Sequence, residues 1–427
     1  MKDKSLLYYL KDKLNMLRKI GVRAILDPIG VSNERARADE HKNTQLFIKS
    51  LDYSSADLEK NRELMARLDK KSAQVETVNW FIPDFSHAYG GIYTILRFAD
   101  YFHFKKGIKN RLIIYGNPQA SETDIKNKIG KIFPNSSDEI IILPNCDLSR
   151  VPEADASIAT FWTSAYLLLK FNLTKGKFYF IQDYEPSFYP AGTIYALAEA
   201  TYHFGFYGIV NSPGLYDLIM REYGGSAEYF MPCIDKEIFY PSEKEPSKPS
   251  VEKPCRIFFY ARADGPRNAF ELGIAALQKI KREYGECVKI YTAGSKWDPN
   301  NYDLKNIIIN LGILPYRETA NLYRKCDVGI AFTLSKHPGY IPFELMACGC
   351  PLVSNYNPAT IWLLKDGFNC TIAQPSVSCI CEKVDTLINN PGLRRQIASN
   401  ALDSLPKTCW DDEIEKIYRF LCNPQSK

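Results

Sequence analysis

Short apolar segments alternate with amphipathic segments from Val75 onward, and this alternation constrains the fold more than any other feature of the sequence. The apolar segments include VNWFIP, RLIIYGN, SIATFW, KFYFIQDY and YGIVNS. Because their apolar character is nearly continuous, they are predicted to be strands buried on both faces, and the segments between them have helical periodicity. Strands that alternate with helices in this way indicate an α/β fold with a parallel sheet covered on both faces.

A polar segment, residues 241–254, divides this pattern into two parts. Its sequence PSEKEPSKPSVEKP is rich in Pro, Ser and charge, which predicts a linker. After it the alternation resumes with the strands RIFFYAR, VKIYTAGS, VGIAFT and PLVSN, and helices are predicted at 268–284 and over 377–405. We therefore expect two doubly wound Rossmann-like domains that face each other across a cleft, with ligands at the carboxyl ends of the strands. The predicted parts are a helical extension at 1–74, a first domain at 75–240, a second domain at 255–407 and a C-terminal helix at 408–427 that packs back on the first domain.

The formal net charge of +5 is concentrated at the N-terminus. Residues 1–25 hold seven Lys and Arg residues and two Asp residues, so the rest of the chain is neutral. This distribution argues against a nucleic-acid partner. Apolar residues at helical spacing over 2–20 accompany the charge, which predicts either contact between this arm and an anionic membrane surface or a helix packed on the first domain. A second helical pattern covers 55–71.

The sequence signatures of several common classes of protein are absent from this chain. No run approaches the ~18 apolar residues that a membrane span needs, and the charged N-terminus leaves no room for a signal peptide, so we expect a cytoplasmic protein with peripheral contact at the inner face of the membrane. The twelve cysteines form no Cys-x-x-Cys pair, and Cys348/Cys350 and Cys379/Cys381 have no nearby histidine. Reduced structural thiols are expected rather than zinc. The motif G-x-G-x-x-G is absent, so no dinucleotide cofactor is expected.

The strongest functional pattern lies within residues 324–355. The predicted strand VGIAFT ends in a loop with Pro338 and Gly339, and a helix opens near Pro342 with Glu344 in its first turn. Amides at a helix N-terminus bind anions, so a diphosphate can lie there while the Glu344 carboxylate accepts hydrogen bonds from a ribose diol. Electrostatic stabilisation of the helix explains this glutamate equally well.

Two further strand-to-helix turns carry residues suited to binding. Arg262 ends the strand RIFFYAR and Arg267 precedes the next helix, and two guanidinium groups at such a turn suit bidentate capture of a diphosphate. Solvated surface arginines are the alternative. In the first domain, the segment AYGG at 88–91 joins a strand to a helix, and its paired glycines, Gly90 and Gly91, let the backbone approach a ligand closely. An ordinary tight turn explains them equally well.

The order and spacing of these pieces resemble those of the retaining GT-B glycosyltransferases, the family often called glycosyltransferase group 1. Its first domain carries a Gly-Gly loop, here Gly90 and Gly91, and ends in a phrase like MPCID at 231–235. Its second domain carries an Arg-x4-Lys pair and a Gly-x-Leu phrase that lies near the base. The equivalent residues here are Arg262, Arg267, Gly312, Ile313 and Leu314.

The resemblance spans about residues 78–422 and includes the end of a Glu-x7-Glu motif, here Glu344, with the strand that follows it. The first glutamate of that motif is replaced by Lys336. Together with HPGYIP at 337–342 and FIQDYEPSFYP, this departure makes the chain similar to the WsaF-like rhamnosyltransferases of rhamnan synthesis. In the wider family the missing glutamate contacts the transferred sugar, so a deoxysugar donor such as dTDP-rhamnose is favoured, with UDP- and GDP-sugars as alternatives.

The resemblance implies sugar transfer from a nucleoside-diphosphate donor onto a lipid-linked cell-surface glycan, with the donor in the second domain and the acceptor in the first. It implies donor contacts with Gly90, Gly91, Arg262, Arg267, Gly312, Ile313, Leu314, His337, Gly339, Tyr340, Ile341 and Glu344.

The expected catalytic residues are Arg262 and Arg267 on the leaving group, with Asp183 and His87 near the acceptor. Asp183 ends the predicted strand KFYFIQDY, and His87 adjoins the glycine loop, although a lone histidine is more often structural. No Asp-x-Asp motif is present, so the arginines are expected to replace a metal ion. A non-catalytic scaffold that binds nucleotide sugars, a GT-B phosphorylase and a nucleotide-sugar epimerase remain the alternatives.

Overall fold

The computed structural model describes residues 34–68, 74–87, 90–241, 243, 245–337 and 339–425, with side chains from residue 42 onward. The basic arm over 1–25, its predicted helix, and Ala88, Tyr89 and Pro338 of the predicted loops lie outside the described residues. Contacts divide the chain into two compact units, Met1–Phe230 with Asp411–Lys427, and Met231–Trp410.

The first unit is built on a seven-stranded parallel sheet with the strand order β3-β2-β1-β4-β5-β6-β7. The chain moves outward from β1 to β3 and then returns to the other side of β1, so the direction of winding reverses between β1 and β4. This reversal is the point at which doubly wound folds bind ligands. The strands are β1 (Thr77–Pro83), β2 (Lys109–Tyr115), β3 (Glu139–Leu143), β4 (Ala154–Ala159), β5 (Thr174–Ile181), β6 (Tyr207–Asn211) and β7 (Ala227–Phe230).

Helices connect these strands, and two helices precede them. The polar helical pattern predicted at 55–71 is the second of these two. The helices of this part are α1 (Glu34–Ser50), α2 (Ser55–Leu68), α3 (Gly91–Lys106), α4 (Glu122–Gly130), α5 (Trp162–Lys170), α6 (Thr193–Ala200) and α7 (Pro213–Glu222).

The second unit is built on a six-stranded parallel sheet with the strand order β10-β9-β8-β11-β12-β13. Here the winding reverses between β8 and β11. The strands are β8 (Cys255–Ala261), β9 (Val288–Gly294), β10 (Ile308–Asn310), β11 (Val328–Ile330), β12 (Leu352–Asn355) and β13 (Thr371–Ala373), and the helices are α8 (Phe270–Tyr284), α9 (Tyr316–Lys325), α10 (Ile341–Ala347), α11 (Val377–Asn389) and α12 (Pro391–Ser404).

Both faces of the second sheet are buried, which explains the continuous apolar character of its strands. On β8, Ile257 and Phe259 belong to one buried apolar cluster, and Phe258 belongs to a second cluster. Because successive side chains of a strand point to opposite faces, the two clusters cover the two faces of the sheet. Two α/β units of this kind confirm the predicted fold class.

Local contacts set the helix boundaries of the second unit. The helix expected from residue 268 begins at Phe270, because Asn268 ends a short 3-10 turn and Ala269 has a left-handed backbone with φ 49. The helices expected over 377–405 are separated at Asn390, whose side chain accepts a hydrogen bond from the Leu393 amide and starts α12. The following Pro391 has no amide hydrogen to continue the preceding helix.

The segment before β8 groups with the second unit. The boundary between the units falls at Phe230, ahead of the predicted linker. The buried Arg394 donates to the Ser247 carbonyl at 2.6 Å and also to the last carbonyls of α11. This contact ties the polar segment to α12.

The last helix, α13 (Trp410–Cys422), returns to the first unit from Asp411 onward. Lys106 of α3 forms an ion pair with Glu415 at 2.6 Å, and the Tyr101 hydroxyl donates to the same carboxylate at 3.1 Å. Phe420 packs on Phe178 of β5, with ring centroids 6.2 Å apart. Among the described residues, no helix is long and apolar enough to cross a membrane.

Candidate functional site

The turn that follows β8 and the loop that follows β11 meet at the reversal point of the second sheet. The Leu334 amide donates to the Arg267 carbonyl at 2.7 Å, and the Asn268 side chain donates to the Phe332 carbonyl at 3.2 Å. The arginine turn and the loop predicted to bind the donor, which are more than sixty residues apart in sequence, are therefore joined by hydrogen bonds. Doubly wound sheets bind their ligands at this position.

Arg262 follows β8 directly and lies against the end of β9. A Cβ atom at Gly294 would be 2.8 Å from the Tyr260 ring and 3.1 Å from Cγ of Arg262, so only glycine leaves room for these side chains. The Arg262 guanidinium lies 3.5 Å from the Asp264 carboxylate, and its buried Nε has no hydrogen-bond partner among the described residues. The guanidinium also interacts with the Tyr260 side chain, but its five N–H groups leave donors for an anionic ligand.

The Gly-Ile-Leu phrase begins beside the same strand end. The Gly294 amide donates to the Gly312 carbonyl at 2.9 Å, and the Gly312 amide donates to the Asn310 side chain at 3.1 Å. Gly312 has φ 69, a conformation that favours glycine. Ile313 is exposed, whereas Leu314 packs against the apolar cluster of the second unit, so only its backbone is available to a ligand.

A surface cavity of about 570 Å³ adjoins this phrase and is lined by Lys296, Trp297, Asn310 and Gly312, among others. Ser295 directly precedes Lys296 in the chain. Its hydroxyl and the Trp297 indole N–H are buried without hydrogen-bond partners among the described residues. Ser295 and Trp297 were not predicted as site residues from the sequence. Their position directly after β9 was the available signal, because ligands of such folds contact the residues that follow the strands.

Glu344 lies in the first turn of α10, as the sequence predicts, but its side chain is only 6% exposed. Burial raises the pKa of this carboxyl to about 8, although the hydroxyl of Tyr323 from α9 donates a hydrogen bond to it. The nearby carboxylate of Asp235 also raises this pKa. Glu344 is thus held in a buried polar position. The helix α10 has only seven residues, so its dipole is small. The positive charges of Arg262 and Arg267 are therefore better suited to bind a diphosphate than this helix end is.

The other predicted residues of this loop lie between β11 and α10. Gly339 has φ 64, His337 is buried, and Lys336, which directly precedes His337, is exposed. Tyr340 packs on the Trp410 ring at 6.2 Å, and Ile341 is the first residue of α10. Asn355 and Asn357, which the sequence analysis did not single out, bind the backbone of this loop through their side chains.

In the first unit, Asp183 and the glycine loop are joined through Gln182. The Gln182 side chain donates to the Gly91 carbonyl at 3.1 Å, and a Cβ at Gly91 would lie 3.0 Å from its Nε2 atom. Asp183 is buried and accepts a hydrogen bond from the Tyr184 amide at 2.8 Å. Gln182 was not predicted from the sequence, although it directly precedes Asp183.

The glycine loop and His87 follow β1. Gly90 has φ 57 and ψ −123, which a residue with a side chain rarely adopts, and α3 begins at Gly91. His87 is exposed, and its Nδ1 lies 3.1 Å from the Ser86 hydroxyl. Among the described residues, no group of three or more His, Cys, Asp or Glu side chains is arranged to hold a metal ion.

Models of two WsaF domains match the chain. The N-terminal domain of WsaF matches residues 77–210, and its C-terminal domain matches residues 255–385. The O-antigen biosynthesis protein RfbC of Myxococcus xanthus is 39% identical over 395 residues, which are 91% of this chain and 30% of RfbC. The chain spans about a third of the length of the curated relatives that it matches, at 30% and 36%.

Solved structures share the fold at low sequence identity. Anabaena HepE, solved with UDP-glucose, has a TM-score of 0.62 and 14% identity, and the match covers 80% of this chain and 98% of that one. A variant of TarM from S. aureus, solved with UDP among other ligands, has a TM-score of 0.63 and 9% identity, and the match covers 82% of this chain and 100% of that one.

These likenesses agree with the two parallel sheets described above. The two matched domains together account for more than half of the sequence. The chain therefore belongs to the WsaF family and has the GT-B glycosyltransferase fold.

Proposed function

We propose that this protein is a retaining glycosyltransferase of cell-surface polysaccharide assembly that uses a nucleoside-diphosphate sugar. The observation that carries the proposal is the junction of the Arg262–Arg267 turn with the loop after β11 at the reversal point of the second sheet. Membership of the WsaF family supports it, and RfbC, named for O-antigen biosynthesis, supports the class of product.

The donor is proposed to bind to the second unit through its diphosphate, its base, its ribose and its sugar. Arg262 and Arg267 bind the diphosphate, because guanidinium groups pair with phosphate oxygens in a bidentate manner. The cavity beside Gly312 accepts the base, and Glu344 accepts hydrogen bonds from the ribose hydroxyls. The sugar then lies near the loop that carries Lys336, His337 and Gly339.

The proposed reaction breaks the bond between the anomeric carbon and the diphosphate. Negative charge grows on the leaving diphosphate, and Arg262 and Arg267 stabilise that charge without a metal ion. The sugar passes through an oxocarbenium-like state, and the acceptor hydroxyl attacks from the face that the diphosphate leaves and transfers its proton to the departing diphosphate oxygen. Asp183 and His87 of the first unit are proposed to contact the acceptor, and the Gly90–Gly91 loop is proposed to approach the donor.

The proposed donor is dTDP-rhamnose. Lys336 stands where the wider family has a glutamate that binds sugar hydroxyls, and a deoxysugar has fewer hydroxyls to satisfy. The alternative donor is a UDP- or GDP-sugar, and the structure of HepE with UDP-glucose makes UDP the first rival to test. A non-catalytic scaffold that binds a nucleotide sugar is the alternative from another class.

The proposed acceptor is a lipid-linked glycan at the inner face of the membrane. Such an acceptor fits the basic arm over 1–25, which would bring the protein to an anionic membrane surface. In this arrangement the enzyme works in the cytoplasm with peripheral membrane contact.

A transfer assay tests the proposal. The full chain is incubated with membranes that contain lipid-linked glycans and with dTDP-rhamnose, UDP-glucose or GDP-mannose, and sugar in the lipid fraction is measured. We expect transfer from dTDP-rhamnose and its loss in Arg267→Ala. Tight binding of a nucleotide sugar without transfer of any of the three would instead support the scaffold.

A further inference from the structure

We propose that Asn357 is a positioning residue that fixes the loop at 333–337 so that Lys336 reaches the bound donor. The inference rests on the proposed function, because it assigns Lys336 to the sugar and diphosphate end of the donor site. Neither the motifs nor the family resemblance selects this asparagine. The pattern of its hydrogen bonds does.

The side chain of Asn357 binds three carbonyl groups of one loop. The two hydrogens of its Nδ2 amino group are shared among the Ser335 carbonyl at 2.7 Å, the Thr333 carbonyl at 3.1 Å and the His337 carbonyl at 3.4 Å. Its Oδ1 atom accepts from the Ala359 amide at 3.0 Å, so both ends of the amide are used. The residue is 4% exposed, and a buried amide with so many partners fixes the backbone around it.

The bonded carbonyls belong to the residues on either side of Lys336. Ser335 and His337 are buried, whereas Lys336 is exposed. The loop is also joined to the Arg267 carbonyl through the Leu334 amide at 2.7 Å. Asn357 therefore holds the lysine on the solvent side of a loop that is attached to the arginine turn, where its ammonium group can approach the diphosphate and the sugar.

The loop does not depend on Asn357 alone for its fold. Asn355 accepts from the Thr333 amide at 2.8 Å and donates to the Thr333 carbonyl at 2.9 Å. Loss of the Asn357 amide therefore frees the part of the loop that carries Lys336 while its beginning stays attached to β12. We expect a loss of catalysis that exceeds the loss of folding stability.

Asn369 provides a matched control in the same unit. Its side chain is fully buried, donates to the Leu363 carbonyl at 2.9 Å and accepts from the Lys365 amide at 2.8 Å. It thus performs the same structural task for a loop that contains none of the proposed donor residues. Asn369→Asp and Asn357→Asp both place a carboxylate beside backbone carbonyl oxygens, so their stabilities are expected to fall similarly.

The test compares transfer kinetics, nucleoside-diphosphate affinity by calorimetry, and unfolding by urea in Asn357→Asp, Asn357→Ala and Asn369→Asp. We expect kcat/KM to fall about ten- to a hundredfold in both Asn357 variants, mainly through kcat, while nucleoside-diphosphate affinity changes less than about threefold. Asn369→Asp is expected to keep kcat/KM within about threefold of the wild-type value at a similar loss of stability. Asn357→Ala removes the donor without adding charge and replaces the aspartate variant if that variant does not fold.

A double-mutant cycle with Lys336→Ala separates positioning from a purely structural role. If Asn357 acts through Lys336, the effects of Lys336→Ala and Asn357→Ala on kcat/KM are less than additive. Additive effects, an equal loss of kcat/KM in Asn369→Asp, or wild-type kinetics in Asn357→Ala would each overturn the inference. Absence of transfer by the wild-type protein would instead refute the proposed function, and this inference with it.

Discussion

The buried carboxyl of Glu344 makes the stability of the second unit depend on pH in a definite direction. Its pKa is raised from 4.5 to about 8 by burial in the folded protein. Between these two values the folded state binds the proton more tightly than the unfolded state does, so the stabilising contribution is complete below pH 4.5 and is lost as pH rises toward 8.

The substitution Glu344→Gln removes this dependence, because the amide is neutral at every pH and its Oε1 atom can still accept the hydrogen bond from Tyr323. Each unit of pKa shift corresponds to about 1.4 kcal/mol, so the shift limits the effect to a few kcal/mol. We expect Glu344→Gln to be about as stable as the wild-type protein near pH 4.5 and more stable by roughly 2–4 kcal/mol near pH 9.

Calorimetry at pH values from 4.5 to 9 measures this difference. The informative quantity is the difference in stability between the variant and the wild-type protein. Other buried groups titrate in the same pH range, but their contributions are the same in both proteins and cancel in this difference. Parallel stability curves for the two proteins would show that the Glu344 carboxyl is not held in a neutral form, and the reasoning from its burial would fail.

Three further predictions concern other parts of the chain. Lys177 donates a hydrogen bond to the Leu169 carbonyl, and burial lowers its pKa from 10.5 to about 7, although Asp57 opposes the shift. Between these two pH values the unfolded state binds more protons than the folded state, so the stability of the wild-type protein rises with pH. The stability of Lys177→Met relative to the wild-type protein should therefore fall as pH rises from 7 to 10, and a pH-independent difference would contradict this assignment. Sugar transfer should persist in EDTA; loss of turnover that Mg²⁺ or Mn²⁺ restores would show that a metal ion takes part, with Asp183 and Glu185 as the first ligands to examine. Deletion of residues 1–25 should reduce sedimentation with anionic liposomes at low salt, and equal sedimentation of both proteins would remove the membrane contact.

The fold could be predicted because its strands are buried on both faces. Strands such as β8, whose residues Ile257, Phe258 and Phe259 are all buried, have continuous apolar sequences that report a covered parallel sheet. The exact ends of helices were harder to predict from the sequence, because they depend on single contacts. For example, the helix predicted from residue 268 begins at Phe270, because the Asn268 side chain donates a hydrogen bond to the Phe332 carbonyl of a distant loop.

The candidate site could be predicted only where its residues follow strands or open helices. Arg262, Gly312 and Glu344 have such positions, and the arginine turn and the loop after β11 do meet in the structure. The burial of Glu344 could not be predicted, because Tyr323 comes from another helix. The role of Asn357 was equally hidden, since nothing in the local sequence indicates that one amide binds three carbonyl groups.

The central claim is that the second unit binds a nucleoside-diphosphate sugar through Arg262 and Arg267, and calorimetric titration with dTDP, UDP and GDP tests it most directly. Each charge-assisted contact contributes roughly 1.5–3 kcal/mol, so Arg262→Ala and Arg267→Ala should each weaken binding about ten- to a hundredfold. Arg395→Ala is the control, because Arg395 forms an exposed ion pair with Glu245 in the same unit, and its affinity should equal that of the wild-type protein. Wild-type affinity in both Arg262→Ala and Arg267→Ala, measured on folded protein, would contradict the account and place the nucleotide elsewhere.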